Sequence, residues 1–186
     1  MPSPANLRDR LAVGTTRDLG PTNEIVREAL HDHSLVKELV DALNDERIVV
    51  AHRASNALKK IQRSKPELLA PFAKQILKRA LATEHMHTRW SLTIILGELP
   101  TGSPASSLAG EALRGRDKAL AVDLMFEALS SRSALQRVFA LQALANYAQN
   151  DSALRTRVHP VLQRALTDRS AAIRARARKL VKQLSS

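Results

Sequence analysis

Apolar residues recur along this chain at helical spacing, and the spacing itself repeats. Ala51, Arg89, Arg137 and Arg174 serve as reference positions, 38, 48 and 37 residues apart. Twelve residues before them stand Leu39, Leu77, Met125 and Leu162, and eight before stand Leu43, Leu81, Leu129 and Leu166. Three after come Ala54, Leu92, Ala140 and Ala177; six after, Ala57, Ile95, Ala143 and Leu180. Seven after come Leu58, Leu96, Leu144 and Val181; ten after, Ile61, Leu99, Tyr147 and Leu184. The two upstream columns lie one turn apart on a first helix, and the four downstream columns form a stripe on a second. A short polar turn separates them, as in Asn44-Asp45-Glu46 and Thr167-Asp168-Arg169. Each unit reads as a helical hairpin. One hairpin cannot bury both its faces, so neighbours must stack, which predicts an all-α fold built as an α-solenoid.

The punctuation places four hairpins at about 34–63, 65–99, 111–149 and 151–185. Ser64-Lys65-Pro66-Glu67 and Asn150-Asp151 offer helix starts. The longest interval contains LPTGSPASSLAG, residues 99–110, whose Pro, Gly and Ser predict an inserted exposed loop. Pro71 and Pro160 fall inside first helices, where a kink or a late start is expected. Thr22-Asn23 opens an extra N-terminal helix through residues 24–30. Residues 1–21 are expected to be a poorly ordered lead-in to a single domain, 22–186.

Composition narrows the picture. Aromatics make up only 3% of the chain, so the core must be aliphatic, which suits close helix packing better than a β-sandwich. There is no Cys, which excludes disulfides, Cys-ligated zinc and thiol catalysis. No apolar run is long enough to span a bilayer, and the first residues lack the apolar stretch of a signal peptide. A soluble, cytoplasmic protein is the expectation.

The residues then resemble a known family. A hairpin period near forty, with Asp in the inter-helix turn and Arg near the start of the second helix, is similar to the HEAT-repeat (armadillo-like) pattern. The resemblance runs from about residue 34 onward, so the expected fold is about four HEAT-like hairpins with an extra N-terminal helix. RASNALKKIQRSKPELLAPF, QRVFALQALANYAQNDSALR and AIRARARKL resemble small bacterial HEAT-repeat proteins that carry no assigned activity. In HEAT proteins the turn Asp and the helix Arg of neighbouring repeats often form a ladder. The resemblance places Asp45, Arg89, Arg137, Asp168 and Arg174 at ladder positions. Ala51 replaces the first Arg, and Thr83 and Ser131 replace the middle Asp residues, so the expected ladder shrinks to an Asp45–Arg89 rung.

Little catalytic chemistry is visible. HDH at 31–33 and HMH at 85–87 put histidines two apart, which on a helix point about 200° from one another and cannot share an ion; at a helix start such a pair could still lie in a turn, but no third ligand stands at a useful spacing. Capping or solvated histidines are expected, and no metal. Trp90 reads as a core or groove-lining residue rather than a base-stacking one, and Phe139 and Tyr147 as packing. There is no phosphate-binding glycine loop and no Ser-His-Asp spacing. Solenoid DNA glycosylases resemble this chain in fold class and basic charge. They need an aromatic-lined cleft with a carboxylate, against which 3% aromatics with one Trp argues. The expectation is no enzyme, no cofactor and no small-molecule substrate.

Charge supplies the functional reading. The net +11 is concentrated in residues 151–186, where nine basic residues face two acidic ones. There, Ile173, Ala177, Leu180, Val181 and Leu184 fall within about a 100° sector, so the basic stretch is a folded amphipathic helix. Second helices of HEAT hairpins usually line the concave surface, which makes His52, Lys59, Arg63, Arg174, Arg178 and Lys182 the candidate partner-binding residues. The expected function is a non-catalytic scaffold gripping an acidic protein surface or peptide. The alternative is sequence-nonspecific nucleic-acid binding through the basic C-terminal repeat. No membrane partner is expected.

Overall fold

A computed structural model describes residues 6–14, 18, 20–99 and 113–185. Among them every regular element is helical. Helices α1 (Leu7–Ala12) and α2 (Thr22–Ala29) precede four helical pairs. These are α3 (Ser34–Ala42) with α4 (Ile48–Ser64), and α5 (Ala73–Ala82) with α6 (Met86–Glu98). The other two are α7 (Gly115–Ala128) with α8 (Ala134–Ala148), and α9 (Ser152–Ala165) with α10 (Ala171–Ser185). Each first helix packs on its own second helix, and the second helices pack in chain order, α4 on α6, α6 on α8, α8 on α10. No helix of the described residues is long and apolar enough to cross a membrane.

The core follows the apolar columns with one exception. Leu39, Leu77, Met125 and Leu162 are buried, and so are the residues three, six and ten after each reference position. The column eight before is different: Leu81 is 43% exposed, and Leu43, Leu129 and Leu166 fall just past their helix ends. Leu43 is nevertheless buried and Leu129 and Leu166 pack against the core, and the position one residue earlier packs beside them. It is alanine in every unit (Ala42, Ala80, Ala128, Ala165), fully buried in the first two. A small side chain there lets the end of each first helix lie close to the start of its second.

The turns share one device. Asp45 Oδ1 accepts the backbone N–H of Arg47, Thr83 Oγ1 that of His85, Ser131 Oγ that of Ser133, and Asp168 Oδ1 that of Ser170. Asp, Ser and Thr thus do the same local job, closing an Asx- or ST-type turn. Only a carboxylate has a second oxygen for a neighbouring arginine. That decides the ladder. Arg137 reaches Asp168 at 3.0 Å, whereas Arg89 pairs with Glu127 of α7 and not with Asp45. Asp45 takes Arg47, with Arg8 of α1 at 3.9 Å. The expected Asp45–Arg89 rung is therefore corrected: Arg89 and Arg137 reach forward to the following unit, not back, and Arg174 stays within its own. Where the rung is missing, between Ala51 and Thr83, a cavity of about 240 Å³ remains.

The lead-in expectation is also corrected. Residues 7–12 are helical, capped by the Asn6 side chain, and Leu7 and Leu11 belong to the core. Arg53 on α4 explains why the segment is held. It is fully buried and donates to the carbonyls of Leu11 and Val13 and to the carboxylate of Asp18. Gly14 and Gly20 adopt left-handed backbone, and a Cβ at Gly20 would stand 2.8 Å from the guanidinium carbon. The inserted loop expected at 99–110 lies outside the described residues, apart from Leu99, which is buried. Pro71 sits in a second 3₁₀ turn, Ala70–Phe72, and α5 starts late, directly after it. Helix α9 continues through Pro160.

Candidate binding face of the second helices

Positions one, five and eight after the reference residue lie on one side of each second helix. On α4 these are His52, Asn56 and Lys59, with Arg63 one turn further. Asn56 links them: its amide nitrogen meets His52 Nε2 at 3.1 Å, and its oxygen accepts from Lys59 Nζ at 3.0 Å. Lys59 also reaches Ser91 Oγ of α6 at 3.4 Å. Burial first, and then Arg63 and Lys60, hold the Lys59 ammonium below its ordinary pKa. Glu98, at the end of α6, is pushed up by burial, while Arg63 and Lys59 pull the other way. Lys59, Arg63 and Glu98 are thus one electrostatic group.

At the other end of α4, His52 meets both histidines of the HMH stretch. Ring centroids are 5.6 Å apart for His52–His85 and 5.8 Å for His52–His87 and His85–His87. His85 is the N-cap of α6: its Nδ1 accepts the Thr88 N–H and lies 2.8 Å from Thr88 Oγ1. Its backbone is extended, so the helical angle between His85 and His87 does not apply, and their rings lie side by side. The pair thus takes the turn alternative open at a helix start, while the third histidine, His52, was not visible in the spacing. Burial, followed by the charges of His85, His87, Lys59 and Arg53, lowers the His52 pKa to about 4. Burial and His87 also lower that of His85. Among the described residues no group of three or more His, Asp or Glu side chains is arranged to hold a metal ion. The other pair is separate: His31 and His33 are exposed, and His31 Nδ1 lies 2.8 Å from the Arg27 carbonyl oxygen.

Between α6 and α8 the face is apolar. Gly97 allows this contact, since a Cβ there would lie 2.4 Å from Ala143 Cβ. Two buried side chains of α8 satisfy carbonyls in the last turn of α6, Asn146 Nδ2 to Gly97 O at 3.0 Å and Tyr147 OH to Leu96 O at 2.9 Å. Above this seam Trp90 meets Phe139 edge to face, with centroids 5.7 Å apart. Two cavities flank Trp90. One, of about 310 Å³, is bounded by Ile94, Glu98, Leu135, Val138, Phe139 and Arg176 among others. The second, of about 400 Å³, opens toward Met86, Leu124 and Glu127. Phe139 packs on Trp90, as expected, and also lines this trough, half-buried.

The basic helix divides. Arg174 donates to the carbonyls of Asp168 and Arg169, closing its own turn. Arg178 is exposed, but its equivalents in the earlier units, Ser55, Thr93 and Leu141, are buried between helices, which places it on the flank of α10. Lys182 occupies the Lys59 position of its unit and is exposed. Arg176, absent from the sequence-derived candidates, lines the trough and donates to Gln142 Oε1 at 2.6 Å. Of the three candidates on this helix, Arg174 is therefore engaged in its own turn, Arg178 lies on the flank, and Lys182 alone keeps the position of Lys59. Side-chain direction at a helix flank follows from which neighbour is packed on which side, and sequence spacing does not contain that.

The chain matches no protein-family model, and no curated protein is significantly similar to it.

Proposed function

We propose that the four helical pairs form a short HEAT-like α-solenoid, and that the face made by α4, α6, α8 and α10 is its concave binding surface. The protein then acts as a non-catalytic scaffold for a protein partner with an acidic surface. The observation that carries this reading is the packing of the second helices in chain order, which joins His52, Lys59 and Arg63 to the Trp90 trough and Arg176 in one continuous face. Stacked hairpins present extended surfaces of this kind. Cations set beside an apolar centre give both steering and affinity toward an acidic partner.

The test is cross-linking and co-purification from the source cell with the wild type and a Lys59→Glu, Arg63→Glu, Arg176→Glu variant. Partners lost by the variant, with helicity unchanged by circular dichroism, support the reading. Partners retained equally by both proteins rule this face out.

A second reading rests on a different observation. Arg178, Lys179 and Lys182 are all exposed on α10. They would contact phosphates without reading bases, and affinity for random-sequence DNA or RNA would fall steeply as salt rises. No binding to either at low salt would exclude it.

A further inference from the structure

We propose that the trough around Trp90 is an anchoring site for one bulky apolar side chain of an acidic peptide segment, with a carboxylate of that segment placed on Arg176. This deepens the scaffold reading and rests on it.

Three observations define the occupant. First, the lining is apolar and open at both rims. Met86 is 67% exposed and Leu135 61%, on either side of a half-buried Trp90. Large apolar groups left in water beside a cavity gain most from a partner that covers them. A Trp ringed by aliphatic side chains is also the residue type most often found at the energetic centre of a protein interface. Second, a cavity of about 310 Å³ has room for one large side chain against Ile94, Val138 and Phe139. Third, the charges are mixed. Glu84 and Glu127 border the cavity on the Met86 side, and Glu98 borders the other. Glu127 is paired with Arg89 at 2.7 Å and Glu98 lies beside Lys59 and Arg63, so the cations of the trough stand singly between acidic groups, a spacing that does not match the closely spaced phosphates of a nucleic-acid backbone. An isolated carboxylate does match it, provided it lies toward Arg176. That guanidinium uses one N–H on Gln142 and has others to offer a carboxylate. The arrangement therefore selects a protein segment with an apolar residue over Trp90 and an acidic residue toward α10.

Trp90 is the only tryptophan of the chain, so its fluorescence reports directly on the trough. The experiment is selection of a random-peptide display library on the full chain, followed by titration of the enriched synthetic peptides with Trp90 emission as one readout and calorimetry as the other. Enriched peptides are expected to share a bulky apolar residue with a nearby Asp or Glu and to shift Trp90 emission. Leu135→Asp should weaken them at least tenfold, Arg176→Glu about fivefold or more, and Arg178→Glu less than twofold. Leu135 is exposed and lies in the first turn of α8, where an acidic residue is tolerated, so the fold is kept. Enriched peptides that bind Leu135→Asp with unchanged affinity and leave Trp90 emission unmoved overturn the trough site while leaving the scaffold reading intact. Failure to enrich any acidic peptide overturns both.

Discussion

Arg137 of α8 holds Asp168, in the turn between α9 and α10, at 3.0 Å, so one carboxylate both shapes its own turn and ties two helical pairs together. The two jobs can be separated. Asp168→Asn keeps an oxygen for the Ser170 N–H and loses only the charge, at a cost of about 0.5 kcal/mol for a part-exposed pair. Asp168→Ala loses both and should cost about 1–2 kcal/mol. Urea midpoints of the two variants check this; equal losses would mean that the turn bond contributes nothing.

Arg53 is the largest fully buried side chain among the described residues, and it donates to Leu11, Val13 and Asp18, which precede α2. Arg53→Ala removes one donor from Asp18 and from each of two carbonyls and opens a void, so a loss of about 3–5 kcal/mol is expected. Hydrogen exchange should rise in residues 7–12 more than in α8. A uniform rise along the chain would contradict the local role.

Gly97 and Ala143 set the distance between α6 and α8. Gly97→Ala should destabilise by about 1–3 kcal/mol through overpacking. Ala143→Gly in the same chain should restore part of that loss, because it removes the atom that clashes. A double variant no more stable than Gly97→Ala, measured by thermal unfolding, would refute the contact.

The histidine cluster makes stability depend on pH. From α4, Arg53 and Lys59 face it; from α6 and its preceding turn come His85 and His87; Asp45 and Glu46 lie across the small cavity beside His85. The folded protein holds the His52 pKa at about 4, so the unfolded chain takes up the proton first as pH falls. The stabilising contribution is fully present above the unfolded value of about 6.5 and is lost as pH falls from there toward 4. At a half-exposed site, solvent screening reduces the contribution to about 1 kcal/mol. His52→Gln should flatten the stability profile across this window. An unchanged slope in urea unfolding between pH 7 and 4 would show that His52 does not titrate there.

The legible part of the sequence was the part that periodicity fixes. The Leu39, Ala54, Ala57 and Ile61 columns and their counterparts sit on the buried stripe because a helix brings every third and fourth residue to one side, whatever packs on it. In the column eight before, Leu43, Leu129 and Leu166 pack in or against the core and Leu81 alone is exposed, which spacing does not distinguish. The buried role of Arg53 was hidden for a related reason. A lone arginine in an amphipathic helix looks solvated until a segment about forty residues earlier folds over it.

By itself, then, the sequence determined the helical pairs, their turns and the stripe each buries, since these depend on neighbours three to ten residues away. Tertiary structure decided the rest: His52 joining His85 and His87, Trp90 and Phe139 opening a trough, Arg176 rather than Arg174 entering it, and Arg137 reaching forward to Asp168. Each joins side chains from different helices. Which flank of one helix meets which flank of the next is set by packing volume and helix approach, at Gly97 and Ala143 above all, and a one-dimensional pattern does not encode it.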